Sequence, residues 1–217
     1  MKILIGAVLF TIALMGESND WLIVPGTRVG PITAATTHAE LVKLFGAANV
    51  VDEEVTVTDV GPDKGSVIFK NRPFDSVTVV WSSGGKISMV VPCLVQWPEP
   101  KACHWHTREG ITVGTTLKAL ERLNGRPFQL AGFAFDGSGA VTSWEGGRLA
   151  HLNAPSCGLV FMRLDPHPRN PSEERLYDQL IGDRFFLSSI PGMQVLNPEV
   201  NWLQMSFADC ARDAEKK

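Results

Sequence analysis

Two stretches of the chain carry the same helix signature, and this duplication limits the fold more than any other feature of the sequence. The first runs from Val29-Gly30 to Thr37-His38-Ala39-Glu40-Leu41-Val42-Lys43-Leu44-Phe45-Gly46. The second runs from Val113-Gly114 to Thr116-Leu117-Lys118-Ala119-Leu120-Glu121-Arg122-Leu123-Asn124-Gly125, with the same spacing from Thr to Gly. A Thr hydroxyl accepts a hydrogen bond from an orphan backbone N–H and so starts a helix. Glu40, three residues after Thr37, completes a capping box in the first copy. Gly46 and Gly125 supply the left-handed residue that ends a helix. Leu41 and Leu44, like Leu120 and Leu123, share one helical face and are expected in the core. Helices this short depend on such packing rather than on propensity.

Strand signals follow each helix. Val77-Thr78-Val79-Val80-Trp81 precedes Gly84-Gly85-Lys86-Ile87, and Val141-Thr142-Ser143-Trp144 precedes Gly146-Gly147-Arg148-Leu149. Both read as a strand, a glycine turn and a returning strand. Trp81 and Trp144 hold equivalent places and read as scaffold. The first copy carries an added hairpin, Val55–Thr58 and Ser66–Phe69 around Gly61-Pro62-Asp63-Lys64-Gly65. Downstream, Gly158–Leu164 reads as a strand. Pro171 opens a helix capped by Asn170, with Leu176, Tyr177, Leu180 and Ile181 on its apolar face and Gly182 as its stop. Leu203, Met205 and Phe207 alternate with Trp202, Gln204 and Ser206 in a closing strand. The expected fold is α+β, a tandem of short-helix plus antiparallel β-meander modules with helices on one face of the sheet. The first module covers residues 19–106. The second covers 107–217 and adds the C-terminal helix and closing strand.

The run Val29-Gly30 to Gly46 and its partner Val113-Gly114 to Gly125 resemble the module of two bacterial envelope groups, a helix ending in Leu-x-Gly and then strands. One is the beta-lactamase inhibitor protein family, a tandem of such modules. The other is the BamE-like group of small outer-membrane assembly lipoproteins. The layout is also similar to that of other exported bacterial proteins with tandem modules. The resemblance covers most of residues 24–150 and implies a fold and a compartment. The chain departs from the lipoprotein group, since its first Cys is Cys93. It departs from the inhibitor in its inserted hairpin and long C-terminal part.

Met1-Lys2, the apolar run Ile3 to Met15 and Gly16-Glu17-Ser18 read as a secretory signal peptide, residues 1–18, cleaved before Asn19. The run is shorter than the roughly 20 residues that cross a bilayer, so no transmembrane anchor is expected in the mature chain. The expected localisation is periplasmic or secreted. A formal net charge of -3 with no basic run in the sequence makes nucleic acid a poor partner.

Four Cys in an exported chain favour disulfides, with three possible pairings. Ile87–Gln96 and Lys101–His106 read as antiparallel strands around Pro98, which sets Cys93 opposite Cys103. Cys157 and Cys210 remain as the second pair. Cys103-His104-Trp105-His106 also invites a zinc reading, but on a strand the Cys and His side chains point to opposite faces. His104 and His106 are therefore candidate surface contacts, as is Trp97 on the loop tip; no metal and no cofactor is expected.

No nucleophile elbow, phosphate loop, paired-His zinc helix or dinucleotide fingerprint is present. Ser156-Cys157 near His151, the pairs Glu53-Glu54 and Glu173-Glu174, and Asp59 with Asp63 are chemistry-bearing groups whose spacing predicts no convergent site. The leading expectation is a non-enzymatic exported binding or scaffold protein whose partner is another envelope or secreted protein. The alternatives are an inhibitor of a secreted hydrolase, and an envelope enzyme assembled from His104, His106, His151 or Asp165. An exposed apolar patch favours binding; a deep pocket of convergent polar groups favours an enzyme.

Overall fold

The computed structural model describes residues 20–58, 61–94, 103–135, 137–153 and 158–207. The signal segment 1–18, Trp97, Cys157 and Cys210 lie outside the described residues. The fold is mixed α+β, with four α-helices and three mostly antiparallel sheets among the described residues.

β1 (Leu22–Val24), β2 (Arg28–Val29) and β3 (Ile32–Thr33) form a small meander. α1 (His38–Phe45) follows, capped as a true capping box. The Thr37 hydroxyl accepts from Glu40 N, and Thr37 N donates to the Glu40 carboxylate at 2.8 Å. Next come β4 (Val50–Thr58), β5 (Gly61–Ile68), β6 (Val77–Trp81) and β7 (Ile87–Pro92), each antiparallel to the one before. β8 (His106–Thr107) pairs in parallel with β1. α2 (Leu117–Asn124), β9 (Gln129–Ala131), β10 (Val141–Ser143), β11 (Leu159–Asp165), α3 (Pro171–Asp178), β12 (Phe185–Leu187), α4 (Pro191–Leu196) and β13 (Glu199–Ser206) complete the chain.

The sheets run β3-β2-β1-β8, β10-β9-β12 and β11-β13-β7-β6-β5-β4. Strands of the second half therefore extend the large sheet of the first, through Met205 opposite Val90. One core cluster joins Leu41, Leu117 and Leu120 to Val77, Val79, Val90, Leu203 and Met205. Burial of such side chains supplies most of the driving force, about 1.5–3 kcal/mol for each. Among the described residues no helix is long and apolar enough to cross a membrane.

Several expectations need correction. Leu44 is 42% exposed. Phe45, four residues after buried Leu41, packs edge-on against Phe69 at 5.6 Å and turns the buried stripe away from Leu44. The added hairpin is longer than read, since β5 begins at Gly61. β7 ends at Pro92; Cys93 takes a left-handed φ of 44°, and its N–H goes to Ser76 O. The next described strand, β8, pairs with β1 rather than with β7. The second glycine turn leads into a 3₁₀ turn, Arg148–Leu152, where a returning strand was expected. α3 stops at Asp178, so Leu180 is buried beyond its end rather than on its face.

Candidate binding surfaces

Cys93 and Cys103 form a disulfide with a Cα separation of 6.0 Å. Alternation past the bridge buries Cys103, Trp105 and Thr107 and exposes His104 and His106. Trp105 Nε1 donates to Asp75 O at 2.9 Å, and the Trp21 ring meets it edge-on at 4.8 Å. His104 Nδ1 donates to Asp75 Oδ1 at 2.6 Å, and its ring lies 5.8 Å from that of Trp21. His106 Nδ1 donates to the His104 carbonyl at 2.7 Å. Each imidazole is thus held by its own acceptor. Among the described residues no group of three or more His, Cys, Asp or Glu is placed to hold a metal ion.

Among the described residues no hydrogen bond or ion pair joins His151 or Asp165, the other candidates for an assembled enzyme site, to His104 or His106. His151 lines a groove of about 740 Å³ with Glu109, Arg122, Arg148 and the flank of α2. Both of its ring nitrogens face acceptors. Nδ1 points at Arg148 O, 2.9 Å away, and Nε2 at Glu109 Oε1, 3.0 Å away. A ring held at both ends leaves no free nitrogen for a general base. Burial pushes the Glu109 carboxyl up. Hydrogen bonds from the Thr107 side chain and its own backbone, with the charge and hydrogen bond of His151, outweigh burial and hold it below 4.5. Burial raises the Asp165 carboxyl above 3.8, against the opposing pull of His167 and Asn201. Tyr177 is raised by burial and by the charges of Asp165 and Asp178. These shifts serve local ion pairs, hydrogen bonds and burial.

β12 offers a different kind of surface. It is an outer strand of the β10-β9-β12 sheet, paired to β9 with Phe185 opposite Ala131 and Leu187 opposite Gln129. Side chains alternate along it. Phe186 turns inward and packs against the core cluster, while Phe185 and Leu187 share the outer face at 63% and 43% exposure. An open edge with two large apolar side chains is a feature that folded monomers ordinarily blunt. Charge, proline and length are the usual devices. Here the strand is short, but it carries no charge or proline of its own.

A third surface lies on the large sheet. Phe161 stands opposite Gln204 and Arg163 opposite Trp202, all half-buried, on the face away from Val160, Met162, Leu203 and Met205. The Arg163 guanidinium lies 5.7 Å from the Phe161 ring and 5.9 Å from that of Trp202. Trp144 is buried and Trp81 half-buried, with Trp81 Nε1 donating to Ser66 Oγ at 2.9 Å.

The sequence reading did not find β12 or the α2 groove. Phe185-Phe186-Leu187, three β-favouring residues after Gly182, was the available signal for the strand. The groove joins residues 109–123 to 148–151, which no local pattern connects. No known protein family, curated protein or solved structure matches the chain.

Proposed function

We propose that the protein is a non-enzymatic, exported binding protein of the bacterial envelope or exterior that takes another protein at the open edge of β12. The observation that carries this is the exposure of Phe185 and Leu187 on one face of β12, an outer strand with no second partner strand among the described residues. An added strand would pair with the outward backbone groups of β12 and set its own apolar side chains beside Phe185 and Leu187. Each apolar side chain fully covered contributes about 1.5–3 kcal/mol. Export is supported by the apolar run Ile3 to Met15 and by the Cys93–Cys103 bridge, which persists in oxidising compartments.

The tandem-module reading is part of the proposal. Supporting it, Val29 and Val113 are both buried before glycines of positive φ. Thr37 and Thr116 each cap an eight-residue helix. Gly46 and Gly125 each follow at a φ near +80°. On that reading the helices cover one sheet face and leave the Phe161–Trp202 face open, as the resemblance to the inhibitor family implies.

The test is affinity capture from the envelope fraction with three immobilised chains: the unaltered protein, Phe185→Asp with Leu187→Asp, and Leu44→Asp as an equally exposed control. The proposal expects a protein that is captured by the first and third and lost by the second. Capture that survives the β12 changes, with thermal melts of all three alike, refutes it.

A further inference from the structure

The exposed side of α2 concentrates positive charge in a chain whose formal net charge is -3. Lys118, Arg122 and Arg126 lie along it, and Arg148 reaches over from the 3₁₀ turn to donate from Nη2 to Arg122 O at 2.8 Å. None of these four takes part in an ion pair among the described residues. Two acids line the same surface, Glu109, paired with His151, and Glu121, which accepts from Gln194 Nε2 at 2.7 Å; neither pairs with any of the four cations.

Helix stability does not account for this set. Cations near a helix C-terminus favour the macrodipole, which explains one or two of the arginines. Lys118 sits in the first turn, where the dipole opposes it. The backbone N–H groups of that turn are already satisfied. Leu117 N donates to Pro198 O, Lys118 N to Asn197 Oδ1 and Ala119 N to Thr116 Oγ1. The side chains, not the helix end, make the positive surface.

That surface is concave. The groove of about 740 Å³ on one flank of α2 has Ala119 and Leu123 in its lining. A second of about 500 Å³ lies between Lys118, Glu121, Arg126 and Gln194. Arg122 lines both. Eight helical residues span about 12 Å, room for three or four residues of an extended chain at about 3.3 Å each. The second groove also adjoins β12. Gln194 Nε2 donates both to Glu121 and, at 2.9 Å, to the carbonyl of Ser188, the residue after the strand.

We infer that the paired grooves along α2 dock an acidic, extended segment of a partner protein, its carboxylates meeting Lys118, Arg122, Arg126 and Arg148 and its smaller apolar groups resting on Ala119 and Leu123. Arginine forks bind carboxylates bidentately, and four cations outside any ion pair, against the two lining carboxylates Glu109 and Glu121, supply the complementary charge. No aromatic side chain from α2 stands ready to enter a membrane. The inference rests on the reading of the protein as a binder of proteins, but it uses a surface distinct from the β12 edge.

The test is fluorescence anisotropy with the purified chain and three labelled peptides of one length, in which alternate positions are Glu, Gln or Lys. The Glu peptide should bind at least about tenfold more tightly than the Gln peptide and weaken between about 50 and about 300 mM salt. Arg122→Glu with Arg126→Glu should remove that preference, and Phe185→Asp with Leu187→Asp should leave it within about twofold. Equal binding of Glu and Gln peptides, or indifference to the charge reversals, overturns the inference. So does stronger binding to a single-stranded oligonucleotide, to inorganic phosphate or to phosphatidylglycerol vesicles. Loss of Glu-peptide preference in the Arg variant alone, beside unchanged capture by the β12 variant, would reject the β12 reading and leave this one standing.

Discussion

A Cβ on Gly147 would lie 2.1 Å from the Asn124 Oδ1, so the second glycine turn closes directly over the last residue of α2. Asn124 is buried and fully used. Its Nδ2 donates to Arg126 O and Trp144 O, both at 3.0 Å, and its Oδ1 accepts from Leu149 N at 3.1 Å. One side chain thereby ties the end of α2 to both sides of the turn. Asn124→Ala leaves these buried backbone groups unpaired and should cost about 3 kcal/mol or more. Gly147→Ala should cost about 1–3 kcal/mol by overpacking. Denaturant melts of the two variants check both; near-neutral values would show that the turn can move away from α2.

The same contact shows where the sequence was readable and where it was not. Helix starts and the alternation of β13 are local, and Thr37, Thr116, Asn170 and Leu203 stand as their patterns dictate. The two glycine turns look alike in sequence, yet Gly84-Gly85 leads into β7 and Gly146-Gly147 into a 3₁₀ turn. The difference comes from a distant residue, because Asn124 takes the N–H of Leu149, where the aligned Phe45 has no amide to offer. Sites built from distant segments escape for the same reason. Arg148 and Arg122 meet across the fold, and β12 becomes an edge only through the order of strands around it.

The Cys93–Cys103 bridge closes a loop of sequence separation 10. In the chain-entropy account a loop of that size contributes about 2–3 kcal/mol. Replacing both Cys by Ser should lower the midpoint of thermal unfolding accordingly. His106→Ala, at an exposed position, should change stability by no more than about 0.5 kcal/mol, and His104→Ala, which removes the hydrogen bond to Asp75, by about 0.5–1.5 kcal/mol. Peptide mapping without reductant reads the bridge directly, and free thiols at both positions in protein from an oxidising compartment would contradict it.

Two carboxylates should respond to pH with opposite sign. The folded state holds Glu109 below its ordinary value of 4.5, so its contribution is present above that value and is lost as pH falls through the lower folded one. Glu109→Gln should therefore be less stable than the unaltered protein at neutral pH, with the gap closing in acid. Asp165 is raised above 3.8, so the folded state favours its protonated form and stability falls as pH rises through that window. Asp165→Asn, which mimics the protonated carboxyl and can still accept from Asn201, should be the more stable protein at neutral pH. That advantage should vanish near about pH 3. Thermal melts at the two pH values decide; gaps that do not change with pH would remove titration as their cause.

Truncation of the helix leucines separates burial from sequence similarity. Leu41 and Leu120 occupy matching positions after Thr37 and Thr116, and both are fully buried in the one core cluster. Each to Ala removes buried methyl and methylene groups and leaves a cavity, at a cost of about 2–5 kcal/mol. Leu44 and Leu123 match equally well in sequence but not in surroundings. Leu44 is exposed because Phe45 has taken the inward line, so Leu44→Ala should stay within about 0.5 kcal/mol. Leu123 is half-buried against the core and also lines the α2 groove, so Leu123→Ala should fall between these limits. Four urea titrations, with the slope checked for constancy, measure the set. The expected order places Leu41 and Leu120 together, Leu123 below them and Leu44 near zero. Equal losses at Leu41 and Leu44 would mean that α1 sits rotated toward the sheet relative to the arrangement described here.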